Sequence, residues 1–210
     1  MLVSIFSGAK RINLNLSTIF KFKMDKQIKF SELQTISGYS ADQVISALQK
    51  EIRRGNFENA CFFCMELLDS GNIFINKFWE RMSVIVVEDV SDVHAINTVR
   101  NLKETYFDLE NSKKWDKDMQ AIKAVQILCE AKKDRIVSEI YDYMKIKRKE
   151  GLKIKIPKYA IDMHTKQGKK EKKDYLHFLQ ISSKINNPIK NKNKKYLNEL
   201  INYAKRKIFP

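Results

Sequence analysis

The sequence predicts an all-α protein, an array of paired antiparallel helices followed by a basic, partly irregular C-terminal region. Three observations predict it. Apolar residues recur at helical spacing from about residue 40 to residue 148, with short connections between the periodic stretches. Only 6 Gly and 3 Pro occur in 210 residues, too few for a turn-rich β fold or a Gly-rich nucleotide-binding fold. The hydrophobic share of 43% is that of an ordinary globular protein, so the first part of the chain can build a real core. No run of 18 apolar residues exists, which excludes a membrane-spanning helix from the expectations.

Residues 1–27 read as a peripheral or leader-like segment, 28–148 as the helical body, and 149–210 as a basic region ending in a helix. Residues 1–23 carry four basic side chains and no acid among scattered Ser, Phe, Ile and Leu, the pattern of an organelle-targeting leader. Met24 as the true start, or a segment packed on the body, are the competing readings.

In the body, Ser40-Ala-Asp-Gln43 is a helix start in which Ser40 caps and Gln43 completes a capping box. Val44, Ile45, Leu48 and Ile52 then share one face, and Arg53, Arg54 and Gly55 close the helix. Asn56 is the expected cap of the second helix, whose stripe is Phe57, Ala60, Cys61, Cys64, Leu67 and Leu68, and Gly71 is its expected end. A third helix runs from Ile73 to Val90. Its Val84–Val87 run is β-branched throughout and suits a buried strand, but its helical neighbours favour a buried helix. Asp92 caps a fourth helix through Ile96, Val99, Leu102 and Tyr106. Asp116 opens a fifth, and a sixth carries Ile136, Val137, Ile140, Tyr141 and Met144. A last helix is expected from Lys190 to Lys207.

The charge is unevenly placed. The chain holds 40 Lys+Arg against 25 Asp+Glu, a net +15. Residues 151–210 carry 16 of the cations and 4 of the acids, a net +12, which leaves the body nearly neutral. A neutral body with a strongly basic tail points to a polyanion, most often nucleic acid. A solvated Lys-rich loop in a compositionally biased proteome is the plain alternative.

Catalytic patterns are missing. No Gly-rich phosphate cradle can be drawn, and Gly168-Lys169-Lys170 lacks both the upstream Gly and the following Ser or Thr. Cys61 and Cys64 form a C-x-x-C without the second ligand pair that zinc requires, so they are expected as small apolar core residues. Three cysteines do not close a disulfide framework. Glu88 and Asp89 are adjacent, hence about 100° apart on a helix, a poor acid/base pair. A metal-dependent nuclease built on these two acids is the enzymatic alternative; capping or ion pairing with a cation such as Arg81 is the structural one. His164 and His177 have no nucleophile at recognisable spacing. The expectation is therefore no enzyme, no cofactor and no metal.

The basic stretch offers the best chemistry. Lys153, Lys155 and Lys158 alternate with apolar residues, and Lys166, Lys169, Lys170, Lys172 and Lys173 follow, with Tyr159, His164, Tyr175 and Phe178 between them. Ammonium groups contact phosphates and release counterions, and aromatic rings stack on unpaired bases. The dominance of Lys over Arg favours backbone contact over base readout. Arg53 and Arg54 are expected to extend this surface.

Three ordered segments resemble the C-terminal helical region of the RarA/MgsA family of clamp-loader-like AAA+ ATPases. Ser46-Ala-Leu-Gln-Lys-Glu-Ile-Arg-Arg-Gly55 is similar to that region's opening S-A-L-x-K-x-[IV]-R-G signature. Trp79-Glu-Arg-Met-Ser-Val-Ile-Val-Val-Glu-Asp-Val90 resembles its R-x-x-x-I-A-S-E-D-[IV]-G segment. Ile156-Pro-Lys-Tyr-Ala-Ile-Asp-Met-His-Thr-Lys-Gln-Gly168 is similar to the I-P-x-Y-A-L-D-x-H-T-x-x-G segment of short free-standing relatives. Ser91 departs from the family's Gly, Val86-Val87 from its Ala-Ser, and the ATPase core is missing.

The resemblance covers about residues 40–180. It implies an all-α region that drives self-association, with DNA and replication proteins such as a AAA+ ATPase or single-strand-binding protein as associates. It carries Glu88 and Asp89 over as structural or interface residues. The functional expectation is a non-catalytic, DNA-associated, self-associating protein of replication, recombination or repair. An adaptor docking on a AAA+ ATPase, clamp loader or polymerase is the alternative. The expected setting is cytoplasmic and nucleoid-associated, without a membrane partner, or organellar if residues 1–23 are a leader.

Overall fold

A computed structural model describes residues 29–208 other than 110, 187, 189, 191 and 192. The leader-like segment 1–27 lies outside the described residues. The chain divides into two compact units, one ending at Met144 and the other beginning at Lys145.

The body consists of helices α1 (Ala41–Arg54), α2 (Phe57–Asp69), α3 (Asn72–Glu88), α4 (Val93–Asp108), α5 (Lys114–Glu130) and α6 (Ile136–Lys149), the last running past the boundary into the second unit. No strand occurs among the described residues, only the isolated bridges Gln34–Ser40 and Val90–Lys133. The core is drawn from α1 to α5. Leu48, Ile52, Leu67, Phe78, Trp79, Met82, Ile85, Val125 and Leu128 are fully buried, and each such side chain contributes on the order of 1.5–3 kcal/mol. Ala121 and Ala124 on α5 are fully buried too, and these small side chains let α5 approach its neighbours closely. Trp79 meets Phe78 and Tyr106 edge to face at 5.0 and 5.4 Å. The β-branched run Val84–Val87 is helical, because Ile85 and Val86 supply the inward stripe of α3 while Val84 and Val87 face outward.

Several helix ends differ from the sequence reading. The Ser40–Gln43 capping box does not form, because the Ser40 hydroxyl donates to Asp42 Oδ1 at 2.6 Å. Asn56 does not cap α2; its Nδ2 donates to Glu51 Oε2 at 2.7 Å. Gly71, with φ +96°, stands before α3 rather than closing α2, which ends at Asp69. Helix α5 opens one turn's edge earlier, at Lys114, whose ammonium pairs with Asp118 and lies 3.0 Å from Asp69 Oδ1. Asp92 does cap α4, accepting from the His94 N–H at 2.8 Å. Gly55 closes α1 in the left-handed region at φ +74°, as its sequence position predicts.

Ahead of α1, the turn 35–39 is pinned to α2. Ser37 donates through its N–H and its hydroxyl to the two oxygens of the buried Glu66, at 3.0 and 2.9 Å. Burial pushes the Glu66 carboxyl up, but the hydrogen bonds from Thr35 and Ser37 outweigh it and hold the group below the usual range.

Helix α6 is the exception in the body. None of its residues is buried. Ile136, Val137, Ile140, Tyr141 and Met144, the expected inward stripe of a sixth packed helix, are all exposed. Together with Val84 and Val87 of α3, Val137 and Tyr141 line an open apolar groove of about 380 Å³.

The second unit holds the short helices α7 (Lys166–Lys170) and α8 (Tyr175–His177), a π-helical turn Phe178–Ser182, and α9 (Lys195–Lys205). Helix α9 is shorter than the expected Lys190–Lys207. Leu179 and Ala204 are buried where α9 packs on the π turn and α8.

Candidate nucleic-acid interface

The basic stretch is carried by a tight turn in the second unit. The Asp162 carbonyl accepts from the Thr165 N–H and hydroxyl, both at 3.0 Å. The same hydroxyl accepts the Gly168 N–H at 2.9 Å, which caps α7. The Asp162 carboxylate accepts from the His164 N–H at 3.0 Å, and its other oxygen lies 3.3 Å from His164 Nδ1. The His164 N–H, more than any other group, holds this carboxyl below its usual range, with the His164 and His177 rings helping against partial desolvation. Past α7 the chain folds back, with the Lys173 N–H donating to the Gly168 carbonyl at 2.8 Å. Lys172 takes the left-handed conformation at φ +56°, which a side chain adopts only when its surroundings impose it.

Gly168 is indispensable to this turn. A Cβ there would stand 1.8 Å from the Asp162 carbonyl oxygen and 2.4 Å from its carbon, both backbone atoms. Gly168→Ala is expected to destabilise the turn by about 1–3 kcal/mol. Faster amide hydrogen exchange at 168–173, with exchange in α1–α5 unchanged, is the expected reading; unchanged exchange throughout would show that the turn yields without cost.

The turn carries Lys166, Lys169, Lys170, Lys172 and Lys173, while Lys153, Lys155 and Lys158 precede it. Lys153, Lys155, Lys158, Lys166, Lys169, Lys170 and Lys172 are exposed and Lys173 is half-buried. None of the eight forms an ion pair with a described carboxylate. Some cations of the body are paired: Lys77 with Glu80, Arg100 with Glu104, Lys114 with Asp69 and Asp118, and Arg135 with Glu88 and Asp89.

The interleaved aromatic residues divide into two groups. Tyr159 is 61% exposed and open to a stacking base. Phe178 is covered instead, with Tyr175 stacked on it at 6.1 Å and His164 set edge-on at 5.1 Å. These three rings anchor the turn to the π-helical segment.

Arg53, expected among the phosphate contacts, is held elsewhere. Its Nε and Nη2 donate to Asp89 Oδ1 and Oδ2 at 2.9 and 3.2 Å, and Nη2 lies 3.6 Å from Glu88 Oε1. Arg54 is exposed and donates to the Lys50 carbonyl at 3.0 Å. Both arginines belong to the first unit, and the lysines to the second.

Asp89 proves to be a structural centre that the sequence reading placed only partly. Its side chain is fully buried. Besides Arg53 it receives Gln49 Nε2 at 3.2 Å and faces Arg135 Nε at 3.3 Å. Its backbone carbonyl takes the Asp134 N–H at 3.1 Å. Arg81, the cation named from sequence, reaches Gln49 Oε1 at 3.5 Å instead. Neither Gln49 nor Arg135 carries a sequence signal for this role. Arg135 gives no periodicity signal, since it stands in the connection before α6.

Cys64 and Cys129 are buried and Cys61 is partly so. Burial raises all three thiols, Cys129 to about 11, so they remain protonated near neutral pH. Among the described residues no three His, Cys, Asp or Glu side chains stand close enough together to hold a metal ion, and no helix is long and apolar enough to cross a membrane. Compared with models of known protein families and with characterised proteins, the chain matches none.

Proposed function

We propose that this chain is a non-catalytic, DNA-associated helical protein of replication, recombination or repair. In this reading the body self-associates, and the basic C-terminal region holds nucleic-acid phosphates with little sequence preference. The observation that carries it is the clustering of cations in one stretch with few acids. The eight lysines from 153 to 173 stand without an ion-paired carboxylate among the described residues. A row of uncompensated ammonium groups on a shaped turn is what phosphate contact and counterion release require. The resemblance to the RarA/MgsA helical region supports the same reading.

Fluorescence anisotropy of labelled single- and double-stranded DNA over a salt series tests it. Tight binding at low salt, falling steeply as salt rises, is expected for the full chain. Absence of binding at low salt would remove the DNA reading.

A second reading is an adaptor that docks on a AAA+ ATPase, clamp loader or polymerase. It is favoured by an exposed stripe along α2, where Phe62 and Met65 lie between Glu58 and Asp69 at helical spacing and Tyr39 packs edge-on against Phe62. No DNA binding, together with loss of partner capture on Phe62→Asp, would favour it.

A further inference from the structure

The aromatic side chains of the basic region are not equivalent. Tyr175, Phe178 and His164 are gathered into one cluster, and Tyr159 stays outside it. Tyr159 is 61% exposed, and among the described residues its side chain makes no ring contact, hydrogen bond or ion pair. The backbone beneath it is nevertheless held. Pro157, at φ −69°, restricts the entry. The Ala160 N–H donates to the Pro157 carbonyl at 3.0 Å and the Ile161 N–H to the Lys158 carbonyl at 3.2 Å, which closes a short 3-10 helix, Lys158–Ala160, around Tyr159. That helix packs on the π-helical turn Phe178–Ser182. Lys153, Lys155 and Lys158 come just before the ring, and the turn that Asp162 opens carries the other five lysines just after it.

We infer that Tyr159 stacks on an unpaired base and so gives the basic region a preference for single-stranded DNA. This rests on the phosphate-binding reading above and names the form of DNA that the region takes. In a duplex each base is covered by its neighbours, and an exposed turn meets phosphates alone. A single strand can turn a base out onto an aromatic ring. Every base has a π-face, so such a ring adds affinity without sequence preference, in keeping with recognition by lysines. The ring is uncharged and releases no counterion, so its contribution separates from theirs in a salt series.

Fluorescence anisotropy on the full chain tests this with three labelled probes: an oligothymidylate, an abasic strand of the same length, and a duplex closed by hairpins. Tyr159→Ala should weaken oligothymidylate binding at least about fivefold, the lower end for one stacked base, and by the same factor at every salt concentration. Binding of the duplex and of the abasic strand should change by less than about twofold, since both keep their phosphates. Tyr159→Trp should retain oligothymidylate binding, and the circular dichroism of both variants should match the wild type, because the residue is largely exposed. The wild-type chain should hold oligothymidylate more tightly than the abasic strand, a comparison that needs no variant. Equal affinity for these two strands would overturn the inference. So would an equal loss on all three probes in Tyr159→Ala, which would mean that the ring holds the turn and not a base. Salt-dependent binding that Tyr159→Ala leaves unchanged would overturn it too, and would leave the wider reading standing. No binding of any probe at low salt would remove both.

Discussion

Asp89→Asn is expected to destabilise the body by about 3 kcal/mol, the cost of breaking a buried ion pair from one side. Asparagine preserves the shape and still accepts from Gln49, so the loss isolates the charge. Arg53 and Arg135 would both lose the carboxylate that neutralises them, and Arg53 is only 27% exposed, with limited access to water. Glu88→Gln is the control. Its side chain is 26% exposed, and it meets Arg53 at 3.6 Å and Arg135 at 3.1 Å, so its loss should cost under about 1 kcal/mol. Urea denaturation followed by far-ultraviolet circular dichroism gives both values. Equal costs for the two variants would mean that the buried carboxylate is not what ties α1, α3 and the connection before α6 together.

The second large effect concerns binding. Replacing Lys169, Lys170, Lys172 and Lys173 together by glutamine should flatten the salt dependence of duplex binding by up to about 0.9 per lost contact, hence up to about 3.6 for all four. For a single strand the corresponding loss is about 0.7 per contact. All DNA sequences should weaken alike, because ammonium groups on an exposed turn read phosphates and not base edges. Three of the four side chains are exposed and the fourth half-buried, so the fold should survive the change. An unchanged slope would mean that the turn at 162–173 does not touch DNA.

The helical character and most of the core were legible because burial leaves a period. Val44, Ile45, Leu48 and Ile52 announce the inward face of α1, and even the β-branched Val84–Val87 run obeys its helical surroundings. Caps were less legible, for a local reason. Ser40 and Asn56 each have two polar partners within reach, and a side chain to which either donates, Asp42 or Glu51, outcompetes the helix terminus. The Asp89 centre could not be read from spacing, since Arg53 stands 36 residues away and Gln49 40. Helix α6 shows the other limit. Its periodicity gives the helix, but Ile136, Val137, Ile140, Tyr141 and Met144, expected on an inward stripe, stand exposed. For the basic stretch, lysine placement follows from exposure, while the covered state of Phe178 depends on His164 and Tyr175 arriving around it.

The buried Asp89 also bears on how fast the body comes apart. Its partners lie far from it along the chain, so these contacts close long loops and form only after neighbouring helices have docked. We expect such contacts to weigh mainly on the escape rate from the native state. The carboxylate would then act as a late latch: Asp89→Asn should speed unfolding in urea while leaving the refolding rate nearly unchanged, and slowed refolding with unchanged unfolding would overturn this.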